Sequence, residues 1–202
     1  MQAARGASLT DSDTRRPRRL RLLLFGIAAL VYVADVVTKH LAVSRLDASA
    51  PIEVVGHYLQ LTLVRNPGAA FSTGTSFTVA LSFVAIAAVA IVLYVSRRVG
   101  STGWAVALGL LLGGVGGNLT DRIFRSPGPL RGHVVDFLQL PNWPVFNLAD
   151  ISINSAAALI VILSLRGRGL DGRRYSDDDP DDSAVGATVV PAKKHPDTEG
   201  AP

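Results

Sequence analysis

The residues best able to do chemistry are a few carboxylates set in a long apolar stretch. Of 16 acidic residues, only Asp35, Asp47, Glu53, Asp121, Asp136 and Asp150 lie between the polar ends of the chain. Two carboxyls that share a proton can hydrolyse a peptide bond without metal, thiolate or a Ser-His pair. One takes a proton from water, the other gives one to the carbonyl oxygen, and a proton then passes to the leaving nitrogen. Close like charges raise one pKa of such a pair, and apolar surroundings raise it further. Asp136 is flanked by Val134, Val135, Phe137 and Leu138, and Asp150 by Leu148, Ala149 and Ile151. These two are therefore the candidate catalytic pair. Asp121 adjoins Arg122, which is expected to hold it ionised, and Asp121 is read as structural.

Other chemistries fit poorly. Cys is absent, which excludes thiolate catalysis and disulfides. His40, His57, His133 and His195 are scattered without metal-ligand spacing, so neither a metal nor a cofactor is expected. Gly113 to Gly117 lacks the Lys-Ser/Thr pair of a phosphate loop, and neither Ser126 nor Ser152 sits in a nucleophile elbow. A pI of 9.8 and a net charge of +4 could mark a nucleic-acid binder. The arginines instead flank apolar runs, with no basic patch interleaved by aromatics, so nucleic acid is not an expected partner.

The scarcity of charge in the middle of the chain implies that lipid covers it. A soluble domain of this size needs many more surface charges. Four apolar runs can each span a hydrocarbon core of about 30 Å: Leu20 to about Val43, Phe77–Val95, Trp104 to about Leu119, and Asn147–Leu165. The first also resembles a cleaved signal peptide, but its length, Asp35 and Lys39 argue against cleavage. Gly109, Gly113, Gly114, Gly116 and Gly117 permit close helix approach in the third run. Alternation from Leu59 to Leu63 predicts extramembrane strands within about 51–72, and Asn66-Pro67-Gly68 is a turn signal. The expected architecture is an all-α polytopic membrane protein with four transmembrane helices and a small extracytoplasmic β cradle. A disordered basic tail over 1–19 precedes a membrane domain over 20–168, with an outer loop at about 123–146. A disordered acidic tail follows over 169–202.

Basic clusters lie before the first run, after the second (Arg97, Arg98) and after the fourth (Arg166, Arg168). Positive charge marks the cytoplasmic side, so both termini are expected inside and the strand segment and outer loop outside. Ionisable groups near membrane depth are expensive and mostly functional. They gather here at the outer ends. Asp35 and Lys39 come late in the first run, four apart with the acid first, the order that favours a helical ion pair. Asn118, Asp121 and Arg122 end the third run, and Asn147 and Asp150 open the fourth.

These residues fall in five motifs. Asp35-Val-Val-Thr-Lys39, Asn66-Pro-Gly-Ala-Ala-Phe71, Gly117-Asn118-Leu-Thr-Asp121-Arg122, Val134-Val-Asp136-Phe137 and Phe146-Asn147-Leu-Ala-Asp150 follow one another in order. Together they resemble lipoprotein signal peptidase, or signal peptidase II, over about Leu20 to Leu165. The resemblance implies an intramembrane aspartic endopeptidase of the bacterial cytoplasmic membrane. Its substrate would be a diacylglyceryl-modified prolipoprotein, cleaved before the lipidated Cys. It implies catalysis by Asp136 and Asp150, with Asn66, Asn118 and Arg122 lining the substrate site and Asn147 in the same polar cluster. Asp35, Lys39 and Asp121 would be supporting residues. Membrane lipid and substrate are the expected partners of a monomer. Ile151 stands where the family commonly has a small Ser, and the loop from Ser126 to Arg131 looks longer than usual. The alternative is a non-enzymatic transporter or assembly factor that binds a ligand in the polar cluster. A transporter would place polar groups near the bilayer midplane and show internal repeats, and neither is evident.

Overall fold

In a computed structural model, residues 11–68 and 74–173 are described. The elements run α1 (Asp11–Arg45), β1 (Ile52–Val55), β2 (Leu59–Asn66), α2 (Gly74–Val95), α3 (Thr102–Phe124), β3 (Val134–Gln139) and α4 (Leu148–Leu165). A single 3-10 turn, Ser96–Arg98, closes α2. All four helices are long and apolar enough to cross a membrane, with mean hydropathy from 1.3 to 2.6. Leu22, Leu30, Val33, Phe83, Val84, Ile91 and Val161 point outward and exposed. Such a surface is stable only against lipid, where the helix also satisfies its own backbone.

α3 is the central helix and packs on α1, α2 and α4. The reason is side-chain size. A Cβ at Gly113 would lie 2.7 Å from the carbonyl oxygen of Ala28 in α1. One at Gly114, on the adjoining face, would lie 2.7 Å from the carbonyl oxygen of Ala149 in α4. Contacts this close need glycine, and they replace the hydrophobic drive that lipid removes.

The two ends of the bundle differ. At one end Leu20 and Leu24 of α1, Val92 of α2, Val99, and Ala105 and Leu108 of α3 form a core cluster. The chain beyond α4 folds back onto it: Gly100 N donates to Leu170 O at 3.0 Å, and Trp104 Nε1 to Arg168 O at 3.0 Å. At the other end Ala42 of α1 packs with Val135 and Phe137 of β3. The three strands there form one antiparallel sheet in the order β1-β2-β3. The loop between α3 and α4 thus supplies a third strand, from the apolar segment Val134 to Leu140. Residue 136 pairs with Val64, and residue 134 with Asn66.

The boundaries differ from expectation at both ends. α1 starts at Asp11, inside the segment expected to be a disordered tail to residue 19; Pro17 lies within it and removes one backbone hydrogen bond. Residues 169–173 form a turn, with Gly169 N donating to Arg173 O at 2.8 Å, where the acidic tail was expected to begin. The expected tails over 1–10 and 174–202 lie outside the described residues, as do Ala69, Ala70 and Phe71 of the Asn-Pro-Gly motif.

Candidate active site

The sheet and the helix ends converge on Asp136. In an antiparallel pair, residues directly opposite share a face, and so do residues two apart on one strand. Val64 stands opposite Asp136, so Asn66 is its diagonal neighbour on the same face. Asn66 Nδ2 donates to Oδ2 of Asp136 at 2.8 Å. The turn after β2 holds that amide in place, because Gly68 N donates to Asn66 Oδ1 at 2.8 Å.

Asp150 enters through helix capping. The first N–H groups of a helix have no partner within it, and Asn or Asp at the cap can accept from them. Asn147 caps α4: Asp150 N donates to its Oδ1 at 2.9 Å, and Asn147 N donates to Asp150 Oδ2 at 3.2 Å. This reciprocal box leaves Asn147 Nδ2 to donate to Asp136 Oδ1, at 2.6 Å. One asparagine therefore binds both acids. Asn118 of α3 completes the ring, donating from Nδ2 to Asp150 Oδ1 at 2.8 Å.

Behind the ring lies a buried ion cluster. Lys39 Nζ sits 2.8 Å from Asp35 Oδ2 and 3.0 Å from Asp121 Oδ2, and it donates to Asn118 Oδ1 at 2.8 Å. Lys39 and Asp35 are 1% and 0% exposed, so each charge survives there only because it is paired. The acids also join elements. Asp35 Oδ1 accepts from Ala149 N at 2.9 Å, which ties α1 to the first turn of α4. Asp121 Oδ2 accepts from Val135 N at 3.2 Å, which ties α3 to β3. A Cβ at Gly117 would run into the Asp35 carboxylate. The charge of Arg122 does act on Asp121, as its adjacency suggests, but the contacts are made by others: Arg125, one turn on, holds Asp121 Oδ1, and Lys39 holds Oδ2. Residues adjoining on a helix point about 100° apart, whereas i and i+4 meet. Arg125 lies outside the five motifs, and its i,i+4 spacing from Asp121 is the one sequence signal for this contact.

Arg122 faces another way. Its guanidinium lies over Gly68, with Nη2 3.5 Å from where a Cβ of that residue would stand. Its charge acts on Asp136, Asp121 and Asp150. Among the described residues, its buried Nη1 has no hydrogen-bond partner.

The environment suits proton sharing. Asp136 is 1% exposed. Burial pushes its carboxyl up to about 6, against the pull of the Asn66 and Asn147 donors, and the charge of Asp150 pushes it further. A carboxyl that keeps its proton up to about pH 6, beside a second, more exposed one, can donate while its partner accepts. All nine candidate residues lie in this one region, as the motifs implied, and they come from five elements: α1, β2, α3, β3 and α4.

Known proteins share the pattern. Residues 27–166 match the family described as Signal peptidase (SPase) II. The lipoprotein signal peptidase of Mycobacterium avium is 51% identical over 84% of this chain and 93% of its own. That of Streptomyces griseus is 46% identical over 85% and 89%. A bacterial membrane enzyme solved by the in meso method at 1.9 Å resolution superposes with a TM-score of 0.64 at 30% identity, over 71% of this chain and 92% of that one. With four spanning helices carrying the family's pattern through the whole bundle, the chain belongs to the signal peptidase II family, bacterial membrane proteases of the aspartic type.

Proposed function

We propose that this protein removes the signal peptide from diacylglyceryl-modified prolipoproteins, cleaving before the lipidated Cys with Asp136 and Asp150 as the water-activating pair. The observation that carries the mechanism is Asn147, which hydrogen-bonds both carboxyls and holds them in one ring. The family's relatives are named lipoprotein signal peptidases, which supports the substrate class. The basic residues Arg97, Arg98, Arg166 and Arg168 lie at the bundle end opposite the sheet, which under the positive-inside rule supports a topology with both termini in the cytoplasm and the site at the outer face. A substrate anchored by acyl chains reaches that depth through the lipid, and its scissile bond meets the acids near the interface. Arg122, over Gly68 and with an N–H that has no partner among the described residues, is suited to hold a peptide carbonyl or the polar linkage of the lipid.

The test is cleavage of a lipidated prolipoprotein by purified Asp136→Asn and Asp150→Asn variants in lipid or detergent. Each is expected to lose at least about 1,000-fold in kcat, a loss of transition-state stabilisation of about 4 kcal/mol. Robust turnover by either would sink the two-aspartate mechanism.

A further inference from the structure

Three asparagine amides surround the pair, and each could point either way by shape alone, since its oxygen and nitrogen are alike in size. Here each is set by a group that can only donate. Gly68 N fixes Asn66, Asp150 N fixes Asn147, and Lys39 Nζ fixes Asn118. The third differs from the others because the fixing group is a full charge. The ammonium of Lys39 lies within ion-pair distance of Asp35 Oδ2 and Asp121 Oδ2 and donates a hydrogen bond to Asn118 Oδ1. With Oδ1 so occupied, Asn118 presents Nδ2 to Asp150 Oδ1 at 2.8 Å.

We propose that Lys39 is a positioning residue for the reaction: through the amide of Asn118 it aims a polarised N–H at Asp150, making Asp150 the partner that takes the proton from water and leaving the shared proton on Asp136. The inference rests on the two-aspartate reading. It adds the division of labour between the acids and assigns its cause to a side chain that acts only through another. The asymmetry has further support. Asp150 Oδ2 accepts a backbone N–H, and the residue sits in the first turn of α4, where the helix dipole favours negative charge. Among the described residues, Asp136 accepts from the side-chain amides of Asn66 and Asn147, whose oxygens are fixed by backbone N–H groups rather than by an ammonium; the charge of Lys39 reaches Asp136 only through space. The charged groups acting directly on Asp150 are Arg122 of α3 and Asp136 of β3; Lys39 and Asp35 of α1 and Asp121 of α3 stand one residue behind it, through Asn118 and Ala149, and Arg125 is engaged by Asp121.

The proton balance closes. Water oxygen bonds to the scissile carbonyl carbon and its proton goes to Asp150, while the proton of Asp136 goes to the carbonyl oxygen. On breakdown the C–N bond breaks, the nitrogen takes the proton from Asp150, and a hydroxyl of the tetrahedral intermediate returns its proton to Asp136. Both acids end as they began.

The experiment is the pH profile of kcat/KM on a lipidated prolipoprotein. Removing Lys39 alone would strand two buried carboxylates, so it is replaced together with them, as Asp35→Asn/Lys39→Met/Asp121→Asn. Asn118→Ala breaks the link while the ion cluster stays paired, so it decides the matter if the triple variant does not fold. Each is expected to move the acidic limb up by about one pH unit, and combining them should add nothing, as for two breaks in one chain. Lys39→Arg, which keeps a cationic donor, should leave the limb in place. Infrared titration of the aspartate carboxylate bands, assigned with Asp150→Asn, reads the same shift in variants that turn over too slowly. An unmoved limb and band in Asn118→Ala overturns the relay, whatever happens to the rate. Asp136→Asn and Asp150→Asn run in parallel separate the two failures. Turnover by either rejects the pair itself, whereas two inactive variants beside an unmoved limb reject only the role of Lys39.

Discussion

Asn147 donates from Nδ2 to Oδ1 of Asp136 at 2.6 Å, and it does so from the cap of the helix whose first turn carries the other acid. One residue thus performs a structural and a positional task, and substitution can separate them. Asn147→Ala removes the cap and the link, and is expected to lower stability by about 1 kcal/mol and kcat by about 100-fold. Asn147→Ser keeps a capping oxygen but has no amide to reach Asp136. Its melting temperature should stay near that of the parent while kcat remains low. Equal activity of Asn147→Ser and the parent would show that the link to Asp136 does not matter.

The glycines of α3 give a stability prediction with an internal control. A Cβ at Gly117 meets the Asp35 carboxylate, whereas one at Gly116 meets only Tyr32 Cδ2, at an ordinary 3.5 Å. Gly117→Ala must push Asp35 from Lys39 or from Ala149 N, and is expected to cost about 3–5 kcal/mol, the range for breaking a buried ion pair. Gly116→Ala adds helix propensity without a clash and should leave stability equal or higher by up to about 1 kcal/mol. Thermal unfolding in one detergent compares the two directly.

Much of this arrangement was legible in the sequence. Hydropathy located all four helices, because lipid imposes length and apolarity on any span. Asp35 and Lys39 could be paired from spacing alone, since i,i+4 contacts are local. What spacing cannot reach is contact across elements. The partner of Ala149 N is a carboxylate more than a hundred residues earlier, and nothing near either residue signals it. The short run Val134 to Gln139 was visible as apolar, but its strand pairing depends on β2 having a free edge. Adjacency signals the charge of Arg122 beside Asp121 but not the contact, since helix geometry sends the Arg122 side chain over Gly68 and leaves Asp121 to Arg125.

Asp136 makes a pH prediction with a definite sign. Its carboxyl is raised from the ordinary 3.8 to about 6, mainly by burial. A raised folded value means that the protonated form is the stabilising one. That contribution is complete below about pH 4, falls as pH rises through about 6, and is flat above. Unfolding of the parent between pH 4 and 8 should show this loss, and Asp136→Asn should not. If the proposed substrate's acyl chains displace water when they bind, the value should rise further. The alkaline limb of kcat should therefore lie above that of kcat/KM, which reports the free enzyme. Coincident limbs would mean that substrate does not further dry the acid.

Arg122 makes the last prediction, and its two roles are separable by kinetics. Its Nη1 is buried without a hydrogen-bond partner among the described residues, beside a Gly68 whose φ of 96° suits glycine and whose missing side chain leaves room for the guanidinium. A buried, unpaired N–H on a cation carries a desolvation penalty that a ligand acceptor would relieve. If substrate supplies that acceptor in both ground and transition states, Arg122→Gln should raise KM by about 10-fold and change kcat by less than about threefold, the signature of lost uniform binding. Arg122→Lys keeps the charge but not the planar fork, and should fall between the two. Gly68→Ala provides an independent probe. Its Cβ would lie 2.6 Å from Leu81 Cδ1 and 3.5 Å from Arg122 Nη2, so it should crowd the guanidinium and raise KM in the same direction without removing the charge. A fall in kcat at unchanged KM in both variants would instead put Arg122 at the reacting carbonyl, stabilising charge that develops only in the transition state.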